Sequence, residues 1–129
     1  MSAPRFRIAG TVLSTRDAQA LAGFYERLLG WHRLADESGW VILRADAVSP
    51  SHSLAFHEDV EYLPPTWPSK PDQQLMMVHL DIATDALDTA VAYAIECGAR
   101  LAEFQPQDDV RVMLDPDGHP FCLFHSPTT

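Results

Sequence analysis

The chain has 129 residues, 47% of them hydrophobic, and a formal net charge of −9. That content suits one packed domain and excludes disorder. No apolar run approaches the ~20 residues that cross a bilayer, and an acidic balance is wrong for a phosphate-binding surface. Neither a membrane nor nucleic acid is therefore an expected partner. The opening "MSAPRFRIAG" lacks the apolar core and small-residue cleavage site of a secretory signal. Cys97 and Cys122 are the only cysteines, and they form no C-x-x-C pair. A reduced, cytoplasmic chain is the expectation.

In chain order, Phe6–Leu13 is an apolar run that reads as a strand. Ser14, Thr15 or Asp17 can cap the helix that follows. Ala18, Leu21, Tyr25 and Leu28 make its buried stripe, and Gly30 is placed to end it. Strand candidates follow at Trp31–Leu34, Trp40–Ala45 and Ser53–Glu58, the last preceded by the irregular loop "DAVSPSHS". Glu61–Gln74 holds four of the ten prolines and reads as a stiff connection. Leu75–Ala83 is the next strand, with Thr84 or Asp85 as the cap beyond it. Leu87, Ala90, Val91, Ala94 and Ile95 form a second helical stripe that Gly98 ends. Arg100–Phe104, Val110–Leu114 and Pro120–His125 are the closing strand candidates.

The two halves repeat. Asp17 matches Asp85, Tyr25 matches Tyr93 and Gly30 matches Gly98, each 68 residues apart. The first strands fit better at 69, with Gly10 on His79 and Leu13 on Ile82. "LAFH" (Leu54–His57) and "CLFH" (Cys122–His125) again lie 68 apart. Each half is thus βαβββ, and the class is α+β. Module one spans about residues 1–60, a crossover 61–74 and module two 75–129, all within a single domain. A ferredoxin-like sandwich would need one fewer strand per half.

With the halves in place, "FYERLLGW", "VHLDI" and "DPDGHPFCLF" carry a resemblance that spans nearly the whole chain. The sequence resembles the vicinal oxygen chelate superfamily of glyoxalases, extradiol dioxygenases and bleomycin-resistance proteins. It looks most like the glyoxalase-like domain branch, for which "YLPPTWP" and "HPFCL" are the marks. The resemblance implies two βαβββ modules forming a curved mixed sheet around a cleft, and a homodimer. It also implies metal-ligand positions, which fall on Gly10, Leu54, His79 and Cys122. Gly10 and Leu54 have no coordinating side chain and Cys122 is not a carboxylate. A catalytic zinc usually needs three protein ligands. No metal or other cofactor is therefore expected, with a divalent metal as the alternative.

Strand alternation then assigns the cleft lining. Leu54, Phe56, Met77, His79, Asp81, Cys122 and Phe124 are expected to face it, with His57 and His125 turned away. Val78, Leu80 and Ile82 are expected to face the second helix. That mixture suits an apolar or aromatic small molecule. His79 is the candidate catalytic or contact residue, a general base as neutral imidazole; otherwise it is simply bonded across the cleft. Asp81 is the other catalytic candidate, or orients His79 or an arginine. Cys122 reads as a small buried hydrophobe before it reads as a nucleophile or ligand. Trp67, held between prolines, closes the cleft, meets a neighbouring subunit, or packs under the crossover. His32, His52, His57, His119 and His125 are assigned to the surface.

The functional expectation is a small-molecule binding protein of the glyoxalase-like type, lacking the usual metal centre. One alternative is a divergent lyase, isomerase or dioxygenase that uses His79 as metal ligand or general base. Another is a dimeric module with a vestigial cleft.

Overall fold

The computed structural model describes residues 3–46 and 52–127, so most of the "DAVSPSHS" loop lies outside it. The chain divides into two compact units, Met1–Val60 and Glu61–Thr129. In the first, β1 (Gly10–Thr15), α1 (Ala18–Leu29), β2 (His32–Glu37), β3 (Trp40–Arg44) and β4 (Ser53–Glu58) form a sheet of order β1-β4-β3-β2. In the second, β5 (Leu80–Thr84), α2 (Leu87–Cys97), β6 (Arg100–Leu101), β7 (Val110–Leu114) and β8 (Pro120–His125) give β5-β8-β7-β6. Both are βαβββ modules, in which the crossover helix makes the first and last strands parallel neighbours. Neither sheet closes into a barrel.

Local chemistry explains the boundaries. Asp17 caps α1 by accepting from the Ala20 backbone N–H at 3.0 Å. Gly30 ends α1 at φ 70°, a left-handed conformation suited to glycine. In α2 the N-cap is Ala86, without a side-chain bond. The Thr84 hydroxyl, one expected cap, accepts from the Ala86 backbone N–H at 3.2 Å.

The first strands are shorter than expected. β1 begins at Gly10 rather than Phe6, and β5 at Leu80 rather than Leu75. Each is paired within its module only from where its partner starts, Gly10 opposite Ser53 and Leu80 opposite Phe121. Phe6 and Ile8 stay largely exposed. β6 also stops short of Phe104, because its pairing with β7 ends at Leu101 opposite Met113.

The core of unit one lies between α1 and its sheet. Leu21, Phe24 and Tyr25 pack there with Leu13, Val41, Leu43, Leu54 and Phe56, all buried. In unit two, Ala94 and Cys97 on α2 are buried, as are Met113, Phe121 and Leu123 in the sheet. Ile95, expected in the α2 stripe, is half exposed; Cys97, three residues past Ala94, carries the buried face on instead. The crossover belongs to unit two. Tyr62 Oη donates to the Asp117 carbonyl at 3.0 Å, and Trp67 Nε1 donates to the Phe104 carbonyl at 3.1 Å.

Candidate functional site

The DPDG turn before β8 is a buried anchor. Asp115 is fully buried, and its Oδ1 accepts from the backbone N–H groups of Asp117 and His119 at 2.9 and 3.0 Å. His119 Nδ1 lies 2.8 Å from Asp115 Oδ2. Tyr62 stacks on the His119 ring with centroids 5.0 Å apart. The expectation of a surface His119 is corrected, since the turn folds the imidazole back onto Asp115. Gly118 turns the chain at φ 88°. Burial, then the Asp115 and Asp117 carboxylates, push the Tyr62 phenol far above its usual range.

This anchor starts β8 in a defined register. Asp81 pairs with Cys122, and Leu80 and Ile82 pair with Phe121 and Leu123. Phe121 and Leu123 are buried, so Cys122 and Phe124 lie on the opposite side of the sheet. Asp81 and Cys122 therefore share one face, and His79 comes two residues before Asp81. His79 Nε2 lies 3.1 Å from Asp81 Oδ1. Burial raises the Cys122 thiol pKa, and the negative charge of the nearby Asp81 carboxylate adds to the rise.

A cavity of about 530 Å³ opens on this face, inside the usual range for a small-molecule site. β5, β8 and their flanks contribute His79, Asp81, Cys122, Phe124 and His125. The loop before β7 contributes Gln107 and Asp109, with Val110 at its end. Two side chains shape that loop. Gln105 Nε2 donates to the Ala102 and Val112 carbonyls at 2.8 and 2.9 Å, and its Oε1 accepts from the Val112 N–H at 2.8 Å. Arg111 Nη1 donates to the carbonyls of Asp108 and Val110 at 2.9 and 3.0 Å and to that of Gln107 at 3.4 Å. A smaller cavity of about 50 Å³ shares His79 and Cys122 and is otherwise lined by Trp67, Met76, Val112 and Pro120.

Of the sequence-selected residues, His79, Asp81, Cys122 and Phe124 come together at the larger cavity, and Trp67 joins the smaller. Trp67 also packs on Phe104 at 6.0 Å between ring centroids. Met77 does not join them. It is 82% exposed, and Met76 takes the cavity position, because β5 begins only at Leu80 and strand alternation does not extend back to Met77.

Leu54 and Phe56 are also placed differently. Phe56 is fully buried and stacks on Tyr25 of α1 at 5.5 Å, and Leu54 is 3% exposed on the same side. The residue in the place of Cys122 is Ala55, which pairs with Val12 as Cys122 pairs with Asp81. The last strands are thus related by 67 residues rather than 68. That one-residue slip turned every side chain of β4 to the wrong face. It also puts exposed His57 on the face away from the helix.

Gln107, Asp109, Val110 and His125 were not anticipated at the cavity. The loop residues are brought in by hydrogen bonds to backbone carbonyls, which leave no spacing signal. His125 is the last ladder residue of β8, opposite Thr84, and borders the cavity at that end of the strand.

Two βαβββ modules with a cavity on the helix-free face of the second sheet define a glyoxalase-like protein. The model of the glyoxalase-like domain family matches residues 10–124, and the chain belongs to that family. No curated protein matches its sequence. Among solved structures, it is similar to a glyoxalase/bleomycin resistance protein/dioxygenase family enzyme from Burkholderia phytofirmans PsJN. That pair has a TM-score of 0.67 and 17% identity, over 91% of this chain and 96% of the other. It is also similar to an antibiotic-binding protein from Streptomyces sp. CB03234, with a TM-score of 0.61 and 19% identity over 96% and 98% of the two chains. A bleomycin resistance determinant encoded on transposon Tn5 gives a TM-score of 0.60 and 20% identity over 94% and 98%. At these identities the likeness establishes the fold.

The four positions that the resemblance assigns to metal ligands carry few donor atoms here. Gly10 has no side chain, and a Cβ there would meet Ser53. The β4 position falls on Ala55, whose methyl group cannot coordinate. Only His79 and Cys122 of that set carry donor atoms.

Proposed function

We propose that this is a small-molecule binding protein of the glyoxalase-like type, working without the family's usual four-residue metal centre. Its ligand is an organic cation with an apolar or aromatic face. The observation that carries this reading is the lining of the 530 Å³ cavity: Asp81 and Asp109 beside Phe124 and Val110, with no lysine or arginine among the described lining residues. Two carboxylates at a partly enclosed surface favour a cation, and Phe124 offers a ring face for stacking or cation–π contact. His79 and Gln107 supply hydrogen bonds that set orientation. The description of one similar structure as an antibiotic-binding protein supports a binding role. Homodimer assembly and a cytoplasmic location belong to the same reading.

The test is a thermal-shift and calorimetric series of aromatic cations, each with a neutral and an anionic isostere. A ligand at ~100 times its Kd should add ~2.7 kcal/mol of stability. The cation should bind best and the anion worst. Equal or inverted ranking overturns the charge assignment, and no shift across the series supports a vestigial cleft.

One contact favours a second reading. Asp81 at 3.1 Å from His79 Nε2 can orient the imidazole as a general base. A ligand that is chemically converted by the wild type, and bound but unconverted by His79→Gln, would establish it.

A further inference from the structure

We propose that Trp67 and Met76 complete an apolar subsite that selects aromatic cations with a short N-alkyl group, a narrowing of the ligand class that rests on the cation-binding reading. The subsite is the cavity of about 50 Å³ that meets the larger one at His79 and Cys122. A site for a whole small molecule takes ~300 Å³ or more, whereas one water needs ~10–15 Å³. The smaller cavity thus has room for a substituent of roughly one to three carbons.

The floor of this subsite belongs to the sheet. Val112 is the direct partner of Cys122 across the β7–β8 ladder, and Pro120 precedes Cys122 by two residues, so all three share the helix-free face. Val112 and Pro120 are buried. The wall belongs to the crossover. The Thr66 backbone N–H donates to the Gln74 carbonyl at 2.8 Å, which draws the two ends of that loop together and sets Trp67 and Met76 on one cavity. Phe104 holds Trp67 in place: its carbonyl accepts the indole N–H, and its ring packs on the indole. Met76 is half-buried between exposed Leu75 and Met77, so its side chain is the one that turns inward.

The chemistry of the lining suits an alkyl group. With its N–H given to Phe104, Trp67 offers the cavity its ring rather than a donor. A well-held water needs roughly two to four polar partners, and the polar side chains of the lining are the His79 ring and the Cys122 thiol. An alkyl group there displaces only weakly held water and gains contact with Trp67, Met76 and Val112. Direction follows from the ladder. Asp81 lies directly opposite Cys122, so a cationic nitrogen at the Asp81 carboxylate points its substituent toward Cys122 and the subsite beside it.

The test titrates full-length protein by calorimetry with N-alkylquinolinium ions carrying methyl, ethyl, propyl, butyl and hexyl chains, beside neutral alkylnaphthalenes of the same chain lengths. Quinolinium affinity should rise roughly 4-fold per carbon from methyl to propyl, the effect of burying one methylene, and fall beyond it. Trp67→Ala and Met76→Ala each enlarge the subsite and should move the optimum to butyl or hexyl, a shift that loss of stability alone does not produce. Near-ultraviolet circular dichroism confirms that each variant is folded, and either one that folds reads the optimum. Met77→Ala alters the exposed neighbour of Met76 and should keep the wild-type optimum. Quinolinium affinity that is flat with chain length or climbs evenly through hexyl, or an optimum unmoved by both enlarging variants, overturns the subsite and leaves the cation reading standing. Naphthalenes that bind as tightly as the quinoliniums, or no quinolinium binding at all, overturn the cation reading and the subsite together.

Discussion

Phe56→Ala separates two opposite placements of β4. With Phe56 fully buried against Tyr25 and between Leu13 and Val41, truncation leaves a cavity in the core of the first module. Buried Phe→Ala changes cost about 3–5 kcal/mol, from lost apolar transfer and the void together. Unfolding entropy of about 2.1 cal/mol/K per residue converts this to a Tm fall of roughly 11–18 °C for a chain of 129 residues. Urea denaturation followed by tryptophan fluorescence should show the midpoint falling with little change in slope. His57→Ala is the control, since the neighbouring His57 is exposed on the helix-free side of the same strand; it should cost less than half as much. A Phe56→Ala loss under about 1 kcal/mol, far below the usual range for a core phenylalanine, would refute the assignment of Phe56 to the α1 face.

Gly118→Ala should destabilise the chain by about 1–2 kcal/mol, because alanine pays for a left-handed φ of 88° and its Cβ would lie 3.1 Å from Pro64 Cβ. Thermal unfolding measures it, and a neutral result would mean the turn relaxes freely. Tyr62 gives a pH prediction. Its phenol pKa is raised in the folded chain, whereas an unfolded tyrosine titrates near ~10. Above that pH the unfolded state sheds a proton that the folded state keeps, so stability falls as pH rises. The stability advantage of wild type over Tyr62→Phe should therefore shrink between about pH 9 and 11; a constant difference would contradict the raised pKa. Arg111→Ala removes the donor that holds the carbonyls of Gln107, Asp108 and Val110. It should weaken ligand binding roughly 5- to 10-fold, the loss of one charge-assisted contact, and lower Tm by only a few degrees. An unchanged Kd would show that the loop needs no such support.

Much of this architecture was legible in the sequence. The last strand of each module, Ser53–Glu58 and Pro120–His125, was bounded correctly because hydrophobic patterning and turn residues agree there. His79 and Asp81 fall on one side because a strand's two-residue period needs no distant information, whereas Cys122 is brought opposite them only by the family resemblance. The same period failed for Leu54 and Phe56. A repeat offset wrong by one residue is invisible in composition, yet it exchanges the two faces of a sheet. His119 was misplaced for a different reason. Asp115 and His119 lie four apart across a turn with Gly118 at positive φ, a spacing that lets an aspartate gather backbone N–H groups. Read that way, "DPDGH" predicts a buried pair. The contributions of Gln107 and Asp109 depend on where Arg111 and Gln105 find carbonyls, and no pattern in the chain announces that.

Cation binding on one face of the second module is the reading to test. The most direct measurement is amide chemical-shift mapping of the isotope-labelled chain, titrated with the best aromatic cation from the ligand series. Saturable shifts should concentrate at residues 79–82, 107–110 and 122–125 and be abolished by the paired change Asp81→Asn and Asp109→Asn. Saturable shifts centred on other segments, or shifts that survive loss of both carboxylates, would contradict it.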